Sequence, residues 1–262
     1  MSKLVFCDID GTLILDNKEM NPKDIEILKR WQQLGNKIAL CTGRNIMECQ
    51  MVLKTIDIPY DYLVLNNGGH ILDKQSTLYE KKISQDIGCS ILDITTQFHG
   101  LWSYYCNGKE TYGYLNGKTY DHRGRGNMEI DGSFYEMYHK AGDFQIIWFH
   151  QDNQQMDDAL YCLDYIRKRF SDSIEPHVNQ HYVDIVPLGC SKGEGIKQLM
   201  SLIDDDIEKT YAIGDSYNDI SMFESVDVAA TFHRAEINVK KHTDCYVDYV
   251  YEFLLQSLGE SL

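Results

Sequence analysis

Short apolar runs closed by turn residues alternate along this chain with segments whose apolar residues recur at helical spacing. Lys3 to Cys7 is a β-rich apolar run that ends in an Asp-Gly turn. Helical periodicity follows: Asn21 stands as the N-cap, Pro22 takes the first helical position, and Ile25, Ile27, Leu28, Trp31 and Leu34 recur until Gly35 ends the pattern. Lys37 to Cys41 predicts a second buried strand, Ile46, Val52, Leu53 and Ile56 a second helix, and Tyr62 to Leu65 a third strand. The last third returns to that rhythm, with a helix over 191–203, a strand from Tyr211 to Ile213 and a helix after Tyr217. Short strands alternating with helices predict a parallel sheet with crossover helices.

The middle of the chain is patterned differently. From Ile83 to Leu188 it is rich in Tyr and Gly, as in Trp102-Ser103-Tyr104-Tyr105 and Tyr112-Gly113-Tyr114. It also carries a strand from Phe144 to His150, a helix over 155–169 and a strand pair around Asn179-Gln180. The sheet begun before this stretch resumes after it. The expected architecture is therefore an α/β fold whose Rossmann-like parallel-sheet core, residues 1–82 and 189–262, is interrupted by an α+β module over residues 83–188. Each part exceeds the roughly 50 residues a domain needs for its own core.

Composition narrows the function classes. The 262 residues are 43% hydrophobic and 25% charged, and 25 Lys and Arg face 40 Asp and Glu, a net charge of −15. So acidic a surface repels nucleic acid and anionic lipid. No apolar run approaches the roughly 18 residues of a membrane helix, and the first one stops at Asp8, too short for a secretory signal. Eight cysteines lie scattered with no CxxC pair, unlike a disulfide scaffold or zinc ribbon. A soluble, cytoplasmic protein with reduced thiols is expected.

In an open parallel sheet, ligands bind outside the carboxyl ends of the strands, and four such ends carry polar residues. Asp8-Ile9-Asp10-Gly11-Thr12 puts two carboxylates where they can converge on a metal or one reacting group, although Asp-Gly also simply closes turns. Thr42-Gly43-Arg44 suits an oxyanion, or Thr42 merely caps the next helix. Ser191-Lys192-Gly193-Glu194 spells a capping box that explains everything but Lys192. Gly214-Asp215-Ser216-Tyr217-Asn218-Asp219 offers more polar side chains than an N-cap requires.

Taken together, DIDGT at 8–12, TGR at 42–44, DIVPLGCSKGEGI at 184–196 and GDSYNDISM at 214–222 resemble, in order and spacing, the haloacid dehalogenase superfamily. Within it the chain is similar to the Cof-type sugar-phosphate phosphatases with an inserted α/β cap. The resemblance implies a Mg²⁺-dependent hydrolase of small phosphomonoesters, with sugar phosphates favoured. By that pattern Asp8 is the nucleophile that forms an acyl phosphate and Asp10 the general acid/base. Mg²⁺ takes the Asp8 carboxylate, the Asp10 main-chain carbonyl and Asp215, with Asp219 in support. Thr42, Gly43, Lys192 and Asn218 bind the phosphoryl group. Asn67, in Asn66-Asn67-Gly68-Gly69, is expected near the entrance, where it could touch substrate, although Asn-Gly after a strand also spells a plain hairpin turn. Arg44 serves as a substrate clamp or an ion-pair partner. The cap would exclude water by closing.

The chain departs from that pattern at Thr231-Phe232-His233-Arg234-Ala235, where the family usually carries Gly-Asn-Ala. His177 and His181 have i,i+4 spacing, but Pro176 and the alternation around it predict a hairpin without a shared helical face for zinc. His122, Arg123 and Arg125 could meet a second anionic group on the substrate. Two rival functions remain open: a phosphomutase or phosphotransferase on the same scaffold, and a non-catalytic binding protein. No partner beyond a small phosphate ester is implied.

Overall fold

The run from Lys3 to Cys7 forms the strand its composition predicts. In the computed structural model, which describes residues 2–15, 20–124, 126–152, 156–179 and 181–260, it is β1 (Ser2–Asp8), followed by α1 (Pro22–Gln33), β2 (Lys37–Cys41), α2 (Ile46–Leu53), β3 (Tyr62–Leu65), β4 (His70–Asp73) and β5 (Thr77–Glu80). The middle contributes α3 (Gln85–Thr95), β6 (Leu101–Cys106), β7 (Thr111–Leu115), β8 (Lys118–Gly124), β9 (Gly126–Ile130), α4 (Phe134–Lys140), β10 (Ile146–Gln151), α5 (Asp157–Phe170), β11 (Ile174–Asn179) and β12 (Tyr182–Pro187). Then come α6 (Lys192–Leu202), β13 (Ile207–Ile213), α7 (Ile220–Phe223), β14 (Val228–Phe232), α8 (Ile237–Lys240), β15 (Cys245–Val247) and α9 (Val250–Leu258). These elements divide into two compact units: Met1–Arg44, Cys49–Tyr79 and Ser191–Leu262 in one, Asn45–Glu48 and Glu80–Cys190 in the other.

The first unit is built on a sheet of order β15-β14-β13-β1-β2-β3-β4-β5. From β15 to β3 every pairing is parallel, and β4 folds back antiparallel on β3. The chain winds one way from β1 to β3 and the other way from β13 to β15, so the winding reverses between β1 and β13. In such sheets the crevice beyond the carboxyl ends at that reversal is the ligand site. One face of the sheet packs Leu4, Phe6, Ala39, Val64 and Ala212 against Ile196, Leu199 and Met222. On α1, the Asn21 side chain accepts from Lys23 N at 3.0 Å, and the buried Trp31 meets Tyr211 edge-on with ring centres 5.7 Å apart.

Asp24, in the first turn of α1, is buried and accepts the Tyr251 amide at 2.7 Å. Burial pushes its carboxyl up to about 6; the Tyr251 amide and Arg234 oppose the rise and Glu252 adds to it. Between its ordinary value and 6 the folded protein therefore binds a proton that the unfolded chain has released. The charged side chain costs stability above pH 6, and that cost disappears as the pH falls through the ordinary carboxylate range. Asp24→Asn keeps the acceptor for Tyr251. It is expected to stabilise the protein by about 1–2 kcal/mol at pH 8 and hardly at all at pH 4, read from denaturant melts at the two pH values.

The second unit is a seven-stranded sheet of order β11-β12-β10-β6-β7-β8-β9, antiparallel at every pairing. Leu92 of α3, Tyr138 of α4 and Leu163 and Ile166 of α5 pack with Tyr105, Ile147, Phe149 and Ile185 on one face. Alternation puts Tyr104 on the other face, stacked with Trp102 and Trp148 at ring-centre distances of 5.6 and 5.1 Å. The Tyr-rich stretch is thus the working substance of a small sheet.

Several elements escaped the sequence pattern. β4 and β5, each only four residues long with a polar residue at both ends, extend the sheet beyond β3. β14 reads Val-Ala-Ala-Thr-Phe, where two alanines interrupt the strand formers at either end. The helix after Tyr217 is only a 3₁₀ turn, Tyr217–Asp219, running into the four residues of α7. β10 begins at Ile146, because Phe144 instead makes a single bridge to Ile83. His177 lies in the β11–β12 hairpin, and its Nε2 meets the Cys190 carbonyl at 2.7 Å. His122 lies 3.3 Å from Glu48 and 2.7 Å from Asn127, so it already faces a carboxylate. Arg125 and Gln180 lie outside the described residues, as does the Arg123 side chain. The eight cysteines are free, seven of them buried. Among the described residues no helix is long and apolar enough to cross a membrane.

Candidate active site

Sheet register gathers the first residues of the site. Asp8 ends β1 opposite Cys41 on β2, the residue before Thr42, and Cys7 lies opposite Ile213 on β13, two residues before Asp215. Three strand ends therefore deliver Asp8, Thr42 and Asp215 side by side. Lys192 arrives as the first residue of α6, which Ser191 caps by accepting from Glu194 N at 3.1 Å. The Glu194 carboxylate turns instead to Lys197 at 2.6 Å. Only half of the expected capping box forms, and Lys192 points into the protein.

There it makes two charge-assisted bonds, to Asp8 Oδ1 at 2.6 Å and to Asp219 Oδ1 at 2.5 Å. All three side chains are almost wholly buried. Burial opposes the ammonium charge, but Asp219 and Asp8 outweigh it and hold Lys192 protonated. Asp8 is the member whose charge is costly. Burial pushes its carboxyl well above the ordinary range, Lys192 pulls against that, and Asp219, Asp215 and Asp10 add to it. Its second oxygen, Oδ2, is buried with no hydrogen-bond donor among the described residues. A buried acceptor left unpaired costs roughly 1–3 kcal/mol, so this oxygen is set up for an electrophile or a cation.

The 215–219 segment is organised around Asp219. Its Oδ2 accepts Asp215 N at 2.9 Å and Ser216 N at 3.0 Å, and its Oδ1 is taken by Lys192. Carboxylate oxygens of Asp8, Asp215 and Asp219 lie within 4.8 Å of one another. Because both Asp219 oxygens already have donors, Asp8 and Asp215 are the pair left to bind a cation. Asp215 accepts one bond from Thr12 Oγ1, at 3.3 Å. Its carboxyl is pushed up to about 6 by burial and by Asp219, against Lys192, Thr12 and Arg234. A hard divalent ion between these carboxylates would remove that penalty, and an all-oxygen donor set suits Mg²⁺.

Gly11 makes the close packing of this turn possible. Its φ is +82°, and a Cβ there would sit 2.4 to 2.6 Å from the Asp215 carboxylate atoms. Gly11→Ala is expected to displace Asp215 and destabilise the fold by about 1–3 kcal/mol; thermal melts and Mg²⁺ titration by calorimetry report the two effects separately.

The remaining residues fall into two groups. Arg44 Nε and Nη2 bond the two oxygens of Asp10 at 2.7 and 2.8 Å, a bidentate pair that occupies Asp10 from both sides. Thr42 Oγ1 accepts Arg44 N at 3.2 Å, in a turn that includes Gly43. The helix cap that Thr42 might have supplied comes from Asn45, whose side chain accepts Met47 N and Glu48 N at 3.0 and 3.1 Å. In the second group, Asn218 Nδ2 reaches Asn67 Oδ1 at 3.5 Å, and Ser216 Oγ donates to Asn218 Oδ1 at 2.7 Å. The entrance position expected for Asn67 is corrected: it is wholly buried with φ +48°, in a 3₁₀ turn between β3 and β4. Its side chain supports Asn218 from inside.

Sequence reasoning assigned no role to Thr12, Ser216 or Arg234. The first two have a legible signal, since Thr12 closes the DIDGT turn and Ser216 stands three residues before Asp219, the spacing of a capping box. Arg234 donates to Gly11 O at 2.5 Å and announces itself in the sequence only as a departure from the family pattern.

A family model described as haloacid dehalogenase-like hydrolase matches residues 5–252. The chain is 25% identical over 253 residues to the putative phosphatase YkrA of Bacillus subtilis, covering 93% of this chain and 91% of that one. It is also 25% identical over 249 residues to the 5-amino-6-(5-phospho-D-ribitylamino)uracil phosphatase YwtE of the same organism, covering 85% and 84%. Among solved structures, the subclass IIB sugar phosphatase BT4131 superposes with a TM-score of 0.79 at 18% identity, covering 98% of this chain and 99% of that one. TM0651 from Thermotoga maritima gives 0.78 at 18%, covering 98% and 97%. The chain belongs to the haloacid dehalogenase-like hydrolase family, as a phosphatase of its Cof type.

Proposed function

We propose that this phosphatase hydrolyses small phosphomonoesters, sugar phosphates foremost, through a phosphoryl group carried on Asp8 and with Mg²⁺ as cofactor. The observation that carries the reading is Asp8 itself: a buried carboxylate with one oxygen fixed by Lys192 and the other without a donor among the described residues. A carboxylate so placed attacks phosphorus, the ester P–O bond breaks, and the leaving oxygen takes a proton from Asp10. In the second half, Asp10 takes a proton from water, whose oxygen attacks the phosphorus. The bond to Asp8 then breaks and inorganic phosphate leaves.

Lys192 offsets the charge of the nucleophile next to a dianionic ester, which a chain of net charge −15 would otherwise repel. The Thr42 hydroxyl, the Gly43 amide and Asn218 would hold phosphoryl oxygens, with Asn67 fixing Asn218. The Asp8 carboxylate, the Asp10 main-chain carbonyl and Asp215 would hold Mg²⁺, which when bound neutralises phosphoryl charge. Asp219 supports the set by anchoring Lys192 and the Asp215 amide. The bidentate pair with Arg44 means that Asp10 must leave that arrangement before it can pass a proton.

The test is phosphate release from a panel of sugar, polyol, nucleotide and cofactor phosphates, with Mg²⁺ and with chelator. Metal-dependent release, strongest on sugar phosphates, is expected. Conversion of one phosphosugar isomer into another without release would replace hydrolysis by a mutase, and a preference for nucleotides would overturn the sugar assignment.

A further inference from the structure

Arg234 follows β14 and reaches across two neighbouring loops. Nη2 donates to the Gly11 carbonyl at 2.5 Å and Nη1 to the Asp248 carbonyl at 3.3 Å. The guanidinium carbon sits over the buried Phe232 ring, 3.7 Å from its centre, a cation–π contact that helps to hold the fork in place. One side chain thus joins the segments that leave β1, β14 and β15.

The carbonyl it holds matters because of the turn around it. Ile9 O accepts both Leu13 N and Ile14 N, at 3.0 and 2.9 Å, and Ile14 O accepts Gly11 N at 2.8 Å. These bonds close the turn from within, while the Gly11 carbonyl takes its donor from Arg234 across the loop. Glycine at φ +82° has no Cβ to restrict the peptide that follows it, so that peptide can rotate unless its oxygen is held. Its other end is Thr12, whose hydroxyl bonds Asp215 Oδ1. A rotation at Gly11 would carry Thr12 away from Asp215 and alter the turn that bears Asp10.

We propose that Arg234 is a positioning residue: by clamping the Gly11 carbonyl to the Asp248 loop it fixes the Gly11–Thr12 peptide, and so the Asp215 carboxylate, for cation binding. The cation-binding part of this role rests on the Mg²⁺ reading above; the clamp on the turn does not. Arg234 is exposed on its outer side, so its contribution to global stability is small and its effect is local.

Arg234→Met keeps an apolar stem over Phe232 and removes both donors; Arg234→Lys restores one donor without the fork. In metal-free protein, hydrogen exchange of the amides at 11–14 is expected to quicken about fivefold to tenfold in Arg234→Met, with the melting temperature unchanged. Calorimetric Mg²⁺ titration without substrate is expected to show Kd raised about tenfold, kcat lowered and KM for the ester little altered, with Arg234→Lys intermediate in each. Thr12→Val acts through the same peptide, so its effect on Mg²⁺ Kd combined with Arg234→Met is expected to be less than the product of the two. Exchange at 11–14 and Mg²⁺ Kd both within twofold of the wild type would overturn the proposal. So would multiplicative effects in the double variant. A wild type that binds no Mg²⁺ would sink the cofactor reading, and the exchange comparison would still decide whether Arg234 clamps the turn.

Discussion

Asp8→Asn is expected to abolish metal-dependent phosphate release, by at least about a thousandfold, without weakening the fold. The amide is nearly isosteric with the carboxylate and keeps an oxygen to accept the Lys192 ammonium, so the bond at 2.6 Å survives in kind. It cannot form an acyl phosphate. It also removes a negative charge from a site where burial holds the Asp8 carboxyl well above its ordinary range, so stability at pH 7 should hold or rise slightly. Activity and stability therefore move independently, which separates loss of the nucleophile from loss of structure. A variant that still releases phosphate at the wild-type rate would exclude the covalent route. As a direct check, acid quenching of the wild type during turnover should leave a phosphoryl group on the peptide that contains Asp8.

Much of this site was legible because its chemistry sits at strand ends that the apolar pattern announces. β1 and β2 are continuous buried runs, so Asp8 and Thr42 could be placed at their carboxyl ends before any geometry was known. The Asn21-Pro22 start and Gly35 end of α1 are set by local backbone chemistry and form as expected. What could not be read is what long side chains do across the sheet. No local pattern says that Arg44 spends its fork on Asp10 instead of waiting for substrate, or that Lys192 bridges two carboxylates. At Asn67 the local pattern is half right for a related reason. Asn-Gly after a strand predicts a hairpin turn, and β3 and β4 do pair antiparallel around it, but nothing local says that this turn is buried and that Asn67 Oδ1 lies 3.5 Å from Asn218 Nδ2. β14 was missed because pairing on both sides, with β13 and β15, carries a short run whose middle, Ala229-Ala230, has poor strand propensity.

Lys192→Met carries the largest expected effect on stability. Met has a similar length and fills the space, but Asp8 and Asp219 are then two buried carboxylates without their shared cation. Removing one partner from a buried charge network costs about 3–5 kcal/mol, and that loss is expected at pH 8, together with loss of turnover. The pH dependence follows from the sign of the Asp8 shift. With Lys192 gone, the one strong influence lowering that carboxyl disappears, and its folded pKa rises further above the unfolded value. The folded variant then binds a proton that the unfolded chain does not, so its stability grows as pH falls through the folded pKa, and the deficit relative to wild type narrows towards pH 5. Adding Asp8→Asn removes one of the two charges permanently and is expected to recover about 1–2 kcal/mol at pH 8. Equal deficits at pH 5 and pH 8, or strict additivity in the double variant, would show that Lys192 stabilises by packing alone. A double variant that regains stability and stays inactive would show the reverse. Lys192 would then be tolerated in the core only because Asp8 has to remain ionised there to attack phosphorus.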